Sequence, residues 1–397
     1  MIEHIYIDNF KAFNEANIYF SPVNIIVGNN GAGKSTLLQI LSFLSSVTHE
    51  DFSSVLSRRQ LKVENIRSKL STKKKIKFVT DFSLDVDGKN KKLRWGLYLT
   101  PNSGKNILEL TEEWVEDNPD VYDSGKDYLR FKFASKEAYR LKKSGETENI
   151  TVFNYTSSIL KLIDTDNNDF PELASVKRFL DYSYSYDLLN PDEMRKSGRG
   201  TAEMIGEKGR FLTSFIKGLS ETQKADLNKR VNILTNTIKE VDTKTSGQPG
   251  WTTIVTTENY GGKNIKFDSK DISDGDLRLI AFASLAEVES SQGFILLDEI
   301  ENGINTQKAK LLMEWLLNYS VKYNKQMFVT THSTVFVDYV PPESISYIYR
   351  NKDNGWVVCE KLFETDAMKN KLEDFYPGEV LLNMSESQII DALLKKD

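Results

Sequence analysis

The chain has 397 residues, a net charge of −5 and 39% hydrophobic residues, which predicts a soluble globular protein of one large or two ordinary domains. A single cysteine, Cys359, excludes a disulfide framework and a thiolate metal cluster. The net negative charge does not attract nucleic acid to the protein as a whole. The sequence shows no basic leader that would indicate export and no apolar run of roughly 20 residues that would indicate a membrane span. We therefore expect a cytoplasmic protein.

The N-terminal segment has the pattern strand, strand, strand, loop, helix. Ile5 and Ile7 alternate with polar residues, and 16–20 predicts a second short strand. The β-branched run 23–27 is bounded by proline and glycine, as a buried central strand would be. Leucines and isoleucines at helical spacing then predict a helix over 34–44.

A glycine-rich sequence connects this strand to this helix. Residues 28–35 read G-N-N-G-A-G-K-S, which fits the phosphate-loop pattern G-x-x-x-x-G-K-[ST]. Lys34 is expected to reach the β- and γ-phosphates, Ser35 to bind Mg²⁺, and Thr36 to lie near the α-phosphate. The alternative, a chance glycine-rich turn with a lysine, fits the strand–loop–helix frame poorly. The predicted nucleotide contacts are Asn29, Asn30, Gly31, Ala32, Gly33, Lys34, Ser35 and Thr36.

The middle of the chain changes character twice. Residues 76–153 are mainly β in pattern, with glycine and asparagine turns, and 170–241 are mainly helical. Within the helical part three tyrosines alternate as in a strand, although the neighbourhood favours a packing role for Tyr182, Tyr184 and Tyr186.

The last third alternates helices with strands, which indicates a parallel sheet covered on both faces. The predicted elements are helix 276–288, strand 293–297, helix 307–319, strands 326–330 and 344–349, and a final amphipathic helix 379–396.

Two acids end the apolar strand 294–297. A carboxylate at the end of such a strand lies beside the metal of a phosphate-loop site, so we expect Asp298 to hold Mg²⁺. Glu299 is then placed to orient or deprotonate the attacking water. An ordinary acidic turn is the alternative, and it is weak beside a phosphate loop. Lys34 and Asp298 are far apart in sequence, which predicts a large insertion between the two halves of the site.

Two further motifs point to phosphate. Ser273 and Gly275 precede a predicted helix, whose N-terminus would bind an anion; a simple serine N-cap is the alternative. The phosphate loop already provides one anion-binding helix N-terminus for the γ-phosphate of the chain's own nucleotide. A second such N-terminus therefore indicates binding to the nucleotide of a partner chain. His332 follows the apolar strand 326–330 and is expected to contact the γ-phosphate and the attacking water, rather than to be structural.

The order of phosphate loop, S-x-G, D-E and T-H-S resembles the ABC ATPase head. The opening N-F-K-A-F (9–13) resembles the SMC, RecF and Old group. The strings S-D-G-D-L-R (273–278) and D-E-I-E-N-G-I-N (298–305), with 186–195 and 206–209, resemble the compact prokaryotic ATPases of anti-phage defence and abortive-infection systems, such as the ATPase subunit of PARIS.

This resemblance implies an α/β fold: an ABC-type head with a mixed, mainly parallel sheet, an antiparallel β lobe and a compact helical insertion. It divides the chain into 1–160, the insertion 161–250, and 251–397. It also implies a homodimer in which ATP and Mg²⁺ lie between two heads, with Ser273 and Gly275 acting in trans and the loop 301–305 crossing the interface.

Some residues depart from the wider ABC pattern. Asp274 and Asp276 replace the usual glycine and glutamine, and Asn305 replaces a common histidine. Gln60 is a poor candidate for the glutamine that senses the γ-phosphate, because its context is basic. Lys11 of the opening motif is equally compatible with nucleotide contact and with a surface position. The same opening motif disfavours a transporter ATPase.

The implied effector is a separate protein, a nuclease or toxin, because no nuclease constellation follows His332. The sequence therefore predicts a sensor ATPase in a defence module. The alternative is a RecF-like ATPase that holds DNA. Thirteen basic residues between Arg58 and Arg94 support a nucleic-acid contact, although a solvated surface is the favoured interpretation.

Overall fold

The fold is given by a computed structural model, which describes residues 1–59, 61–122, 125–135, 137–152, 155–166, 168–186, 190–247, 250–288 and 292–395. Gln60 and residues 187–189 of the 186–195 string lie outside the described residues. The strands are β1 (Ile2–Asp8), β2 (Ala16–Tyr19), β3 (Val23–Val27), β4 (Ile76–Val86), β5 (Lys89–Asn102), β6 (Ile107–Asp117), β7 (Asp127–Lys132), β8 (Glu137–Leu141), β9 (Thr147–Asn149), β10 (Tyr184–Tyr186), β11 (Ile238–Ser246), β12 (Trp251–Tyr260), β13 (Lys263–Asp268), β14 (Gly293–Leu297), β15 (Lys325–Thr330), β16 (Ile345–Arg350) and β17 (Val357–Lys361). The α-helices are α1 (Lys34–Ser46), α2 (Phe52–Arg58), α3 (Val63–Ile66), α4 (Pro171–Asp181), α5 (Pro191–Met194), α6 (Leu212–Gly218), α7 (Glu221–Thr235), α8 (Asp274–Ser284), α9 (Ala309–Tyr323), α10 (Thr334–Val337), α11 (Asp366–Lys369), α12 (Pro377–Asn383) and α13 (Glu386–Leu394).

The central sheet is mixed, and its strand order is β10-β14-β15-β3-β16-β17. Its first five strands in that order are parallel, and β17 pairs antiparallel with β16 at one edge. The carboxyl ends of β3, β14 and β15 therefore meet at one edge of the sheet, where loops carry the phosphate-loop, Asp-Glu and histidine motifs. This arrangement confirms the parallel sheet expected from the sequence.

Two hydrophobic cores cover the faces of this sheet. Phe294 and Leu296 of β14 pack into a core shared with α1 and the antiparallel sheet. The intervening Ile295 and Leu297 pack into a second core with α8 and α9. Because alternate residues of the strand enter different cores, the strand is apolar throughout, as a buried parallel strand must be.

An antiparallel sheet of order β2-β1-β4-β5-β6-β7-β8-β9 forms the N-terminal lobe. It confirms the β region predicted for residues 76–153. A small antiparallel sheet, β11-β12-β13, packs against α6 and α7. Together these features match the α/β head with an antiparallel β lobe that the resemblance implies.

The chain between residues 161 and 250 contains more strand than the sequence predicted. Tyr184–Tyr186 form β10, which pairs with β14 of the central sheet, so the helical pattern expected there is wrong, while Tyr184 and Tyr186 do pack against the second core. The helical pattern was extended too far as well, because Ile238–Ser246 pair with β12. The hairpin β11–β12 crosses residue 250, and the boundaries of the helical insertion stay a prediction.

The C-terminal segment is two helices rather than the single helix 379–396. Met384 has extended backbone angles, and Ser385 then starts α13 with a capping box to Gln388. Met384 therefore ends α12, and Ser385 starts α13. Among the described residues, no helix combines the length and the apolar character needed to cross a bilayer.

Candidate nucleotide site

The phosphate loop leaves β3 through glycines whose backbone conformations require glycine. Gly28 has φ of 152°, and a Cβ there would lie 2.1 Å from the carbonyl oxygen of Ile348. Gly31 and Gly33 also have positive φ, 75° and 123°. α1 starts directly after Gly33 without a side-chain cap, so its first amide groups are available to an anion.

Lys34 points back into this loop. Its Nζ donates hydrogen bonds to the carbonyl oxygens of Gly28 at 2.8 Å and Asn29 at 3.1 Å. Burial lowers the pKa of Lys34, and the nearby Asp298 and Glu299 carboxylates oppose that shift. The loop wraps around a buried ammonium group. Phosphate oxygens can replace the two carbonyl oxygens as acceptors of its hydrogen bonds, so the geometry fits a nucleotide phosphate chain.

The other residues of the loop differ in exposure. Asn29, Asn30 and Gly31 are exposed at the tip, Ala32 is buried, and Ser35 is exposed at the start of α1. The guanidinium of Arg350, at the end of β16, donates to the Gly31 carbonyl at 3.0 Å and holds the tip. No sequence pattern indicated a role for Arg350, because it lies 319 residues from Gly31 in the chain.

Asp298 and Glu299 are joined through a threonine of the neighbouring strand. The hydroxyl of Thr330 donates to Asp298 Oδ1 and accepts from the backbone N–H of Glu299 at 2.8 Å. Glu299 has a φ of 48°, a left-handed conformation that this contact fixes. Its carboxylate accepts from the amide nitrogen of Asn302. Thr330 ends the predicted strand 326–330 and Asn302 lies in the 298–305 string, but sequence spacing alone did not reveal these contacts.

His332 is exposed at the end of β15, and its backbone is tied to the loop after β14. Its N–H donates to Glu301 Oε1, while the Thr331 hydroxyl donates to Glu301 Oε2 at 2.8 Å. Glu301 therefore connects the histidine motif to the 301–305 loop. Sequence reasoning placed Glu301 only as a member of that loop.

A cavity of about 280 Å³ brings the two predicted Mg²⁺ ligands together. Ser35 and Asp298 both line it, as does Gln39 of α1. A hydroxyl and one carboxylate, completed by phosphate oxygens and water, make the hard oxygen set that Mg²⁺ prefers. The residues therefore fit Mg²⁺ bound with a nucleotide. Among the described residues, no three His, Cys, Asp or Glu side chains form a metal site of their own.

The signature residues lie away from these contacts. Ser273 is exposed and N-caps α8, accepting from the Asp276 N–H at 3.1 Å. Gly275 lies so close to the 301–305 loop that a Cβ would be 2.4 Å from the Gly303 carbonyl oxygen. Arg195 donates to the Ile272 carbonyl at 2.8 Å and to Asp274.

Lys11 faces the nucleotide helix rather than solvent. Its Nζ donates to Gln39 Oε1 at 2.6 Å, and burial lowers the pKa of the amine. Because Gln39 also lines the cavity of Ser35 and Asp298, Lys11 lies one side chain from the predicted metal ligands. A contact between Lys11 and the nucleotide stays a prediction.

Most of the basic residues between 58 and 94 form ion pairs with acidic side chains of the same chain. Among the described residues, eight of the thirteen form ion pairs: Arg58, Arg59, Lys73, Lys75, Lys77, Lys91, Lys92 and Arg94. Lys73, for example, binds the buried carboxylate of Asp8 at 2.8 Å. These pairs favour the solvated-surface interpretation over a phosphate-binding face.

Comparison with known proteins agrees with this geometry. The family model described as "AAA domain, putative AbiEii toxin, Type IV TA system" matches residues 23–338. The chain is a member of this AAA-domain ATPase family. An "ATP/GTP phosphatase" of Helicobacter pylori is 23% identical over 376 residues, covering 89% of this chain and 90% of that protein.

Two further comparisons place this AAA-domain member among related heads. An SMC head bound to the C-terminal winged-helix domain of ScpA has a TM-score of 0.55 at 15% identity, with 93% of this chain and 99% of that chain covered. The "DNA replication and repair protein RecF" of Porphyromonas gingivalis is 54% identical over 46 residues, which is 11% of this chain and 13% of that protein. The first likeness shows the fold, and the second is a local similarity.

Proposed function

We propose that this chain hydrolyses ATP with Mg²⁺ at sites completed by a second copy of itself, and that the closed pair controls a separate effector. The single observation that carries the proposal is the joint placement of Lys34, Ser35, Asp298 and Glu299 at one edge of the sheet. Membership of an ATPase family and similarity to an ATP/GTP phosphatase support the reaction.

The residue roles follow from the contacts. Lys34 and the α1 amides bind and orient the phosphates, and Ser35 and Asp298 hold the metal. Mg²⁺, when bound, supplies positive charge that stabilises the leaving phosphate oxygens. Glu299, fixed through Thr330 and Asn302, orients water and takes its proton. His332 lies at the tip of the next parallel strand and contacts the γ-phosphate side.

The in-trans role of Ser273 and Gly275 is supported by their surroundings. Gly275 packs on the 301–305 loop of its own chain, and Ser273 is exposed with its hydroxyl bonded locally to Asp276. The signature loop therefore projects to solvent beside the loop expected at the interface. A second chain is the natural source of the nucleotide that this helix N-terminus would bind.

Mixing two inactive variants tests this arrangement. Lys34→Ala removes nucleotide binding from one chain, and Ser273→Arg blocks the signature of the other. In a mixed pair, the intact Lys34 of the second chain faces the intact Ser273 of the first, so ATPase activity returns on mixing. If the mixture remains as inactive as each variant alone, the in-trans assignment is wrong.

Control of an effector in a defence module is supported by the family description, which names a toxin–antitoxin system. The SMC heads of similar fold are bound to separate ScpA domains, which supports a docking role for this type of head. The purified chain should therefore hydrolyse ATP without cutting DNA or RNA. Nuclease activity that persists in the chain freed of bound proteins would contradict the effector proposal.

The RecF similarity supports a second candidate, an ATPase that holds DNA. The lysines to substitute in a test of this candidate are Lys62, Lys69 and Lys74, because none of them forms an ion pair among the described residues. Lys73 is unsuitable, since it neutralises the buried Asp8. ATP-dependent duplex binding that the triple change to glutamate abolishes would favour the RecF-like function. Our proposal predicts no such binding in the unmodified chain.

A further inference from the structure

The cavity that holds Ser35 and Asp298 also contains an ion pair without a role in the chemistry above. Arg59, Glu207 and Lys208 line the same cavity of about 280 Å³. Arg59 follows α2, while Glu207 and Lys208 lie between α5 and α6. Cationic side chains beside the predicted metal ligands would face a bound γ-phosphate.

Glu207 bridges two arginines at this place. Arg59 binds Glu207 Oε1 at 2.8 Å, and Arg58 approaches the other carboxylate oxygen at 3.5 Å. The Arg59 side chain is only 13% exposed and also donates to the Ser42 hydroxyl of α1. A carboxylate held by guanidinium groups occupies the kind of place that a phosphate group can take, because both anions accept paired N–H donors.

A tight turn fixes the position of Glu207. The N–H of Gly209 donates to the Gly206 carbonyl at 3.0 Å, and both glycines have positive φ, 70° and 78°. A Cβ at Gly206 would lie 2.8 Å from the Phe211 ring. The turn therefore presents Glu207 to the arginines from a conformation that only glycine allows readily.

The same chain segment reaches the signature loop. Arg195, at the end of α5, donates to the Ile272 carbonyl at 2.8 Å and to Asp274 beside Ser273. Residues 195–207 thus contact the cavity of their own nucleotide at one end and the signature loop at the other. Breaking the Arg59–Glu207 ion pair can therefore move the signature loop through the short segment 195–207. The signature loop lies at the surface expected to face a partner chain.

We propose that Arg59 senses the γ-phosphate by exchanging Glu207 for it. Without ATP, Glu207 holds Arg59; with ATP, the guanidinium turns to the γ-phosphate and the 195–207 segment is released toward the signature loop. ADP lacks the γ-phosphate and leaves the pair intact. This inference rests on the proposed ATPase function, and it assigns the sensing role that Gln60 fills poorly on sequence grounds.

Two variants with opposite expected effects test the exchange. Arg59→Ala removes a charge-assisted contact made only with ATP, so affinity for a non-hydrolysable ATP analogue falls by about tenfold while ADP affinity changes little. Glu207→Gln removes the competing carboxylate charge, so affinity for the analogue rises by roughly three- to tenfold and ADP affinity again changes little. Both are measured by displacement of a fluorescent nucleotide from the full chain.

The matched control is Glu148→Gln, because Glu148 pairs with Arg140 at 2.7 Å on β8 and β9, in the antiparallel lobe. It should change neither affinity. Equal loss of ADP and analogue binding in Arg59→Ala, or weaker analogue binding in Glu207→Gln, would overturn the exchange. If Arg59→Ala does not fold, Glu207→Gln still decides. Failure of the unmodified chain to bind ATP in a Lys34-dependent way would instead contradict the proposed function.

Discussion

Gly275 at the start of α8 lies directly against the carbonyl oxygen of Gly303, where a Cβ would be only 2.4 Å away. Gly303 in turn lies against Arg278 of α8: a Cβ on Gly303 would be 2.5 Å from that guanidinium. The signature helix and the 301–305 loop therefore fit together without spare volume. Movement of one element requires movement of the other.

The first prediction concerns this contact. Gly275→Ala forces the 301–305 loop away from α8 and disturbs Glu301 and Asn302, which position His332 and Glu299. We expect ATPase activity to fall by about tenfold or more, because small displacements of catalytic groups are costly. The affinity of the single chain for nucleotide should be nearly unchanged, since its own phosphate loop is untouched.

Gly104→Ala is the control for this prediction. A Cβ there would lie 3.6 Å from its nearest neighbour, which is ordinary contact. Steady-state phosphate release for both variants provides the comparison. Unchanged activity in Gly275→Ala would show that the tight contact does not serve the reaction.

The second prediction concerns the threonine between Asp298 and Glu299. Thr330→Val keeps the shape but removes the hydroxyl, which leaves the Glu299 N–H without its acceptor. We expect kcat to fall roughly 10- to 100-fold because Glu299 loses its fixed position, and stability to fall by about 1–3 kcal/mol. Steady-state kinetics and urea denaturation measure the two effects.

A second valine substitution separates these effects from a general effect on the sheet. Thr80 of β4 is also fully buried, and among the described residues its hydroxyl has no hydrogen-bond partner. Thr80→Val should therefore keep both activity and stability. Equal changes in kcat and in stability for the two variants would show that Thr330 does not position Glu299.

The third prediction is a pH effect at the start of β15. Burial lowers the pKa of Lys325 from 10.5 to about 8, although its Nζ donates to the Tyr182 carbonyl at 3.0 Å. Below pH 8 both states carry the proton, and the folded state bears a cost on the order of 3 kcal/mol. Between pH 8 and 10.5 the unfolded state binds more protons, so stability rises with pH.

Lys325→Met removes this titration. The stability advantage of the methionine variant should shrink by about 2 kcal/mol between pH 7.5 and pH 9.5. Urea denaturation of both proteins at the two pH values gives the difference. A constant difference would mean that Lys325 does not change its charge in this range.

Sequence patterns predicted the central sheet well because its strands are buried on both faces. The β3 and β14 bounds agree with the apolar runs 23–27 and 293–297. β10 was missed because its alternating tyrosines lie in a neighbourhood with a helical pattern, and only pairing with β14 makes Tyr184–Tyr186 a strand. The break at Ser385 was missed because the apolar spacing continues across it.

The phosphate loop and the Asp-Glu motif could be found from sequence because each is contiguous and follows a strand. The supporting contacts could not, because they join distant segments: Thr330 to Asp298, Arg350 to Gly31, and Arg59 to Glu207. Such partners become neighbours only when the parallel strands align their ends. The assigned roles of the site residues remain predictions for the experiments above.

The most direct test of the account is the solution mass of Glu299→Gln with ATP and Mg²⁺, measured by light scattering. This variant keeps the nucleotide contacts but lacks the base, so ATP should persist and hold two chains together. We predict twice the chain mass of 45.4 kDa with ATP, and a single chain when Ser273→Arg is added. A nucleotide-loaded sample that stays at the mass of one chain, while the unmodified monomer hydrolyses ATP at full rate, would contradict the account.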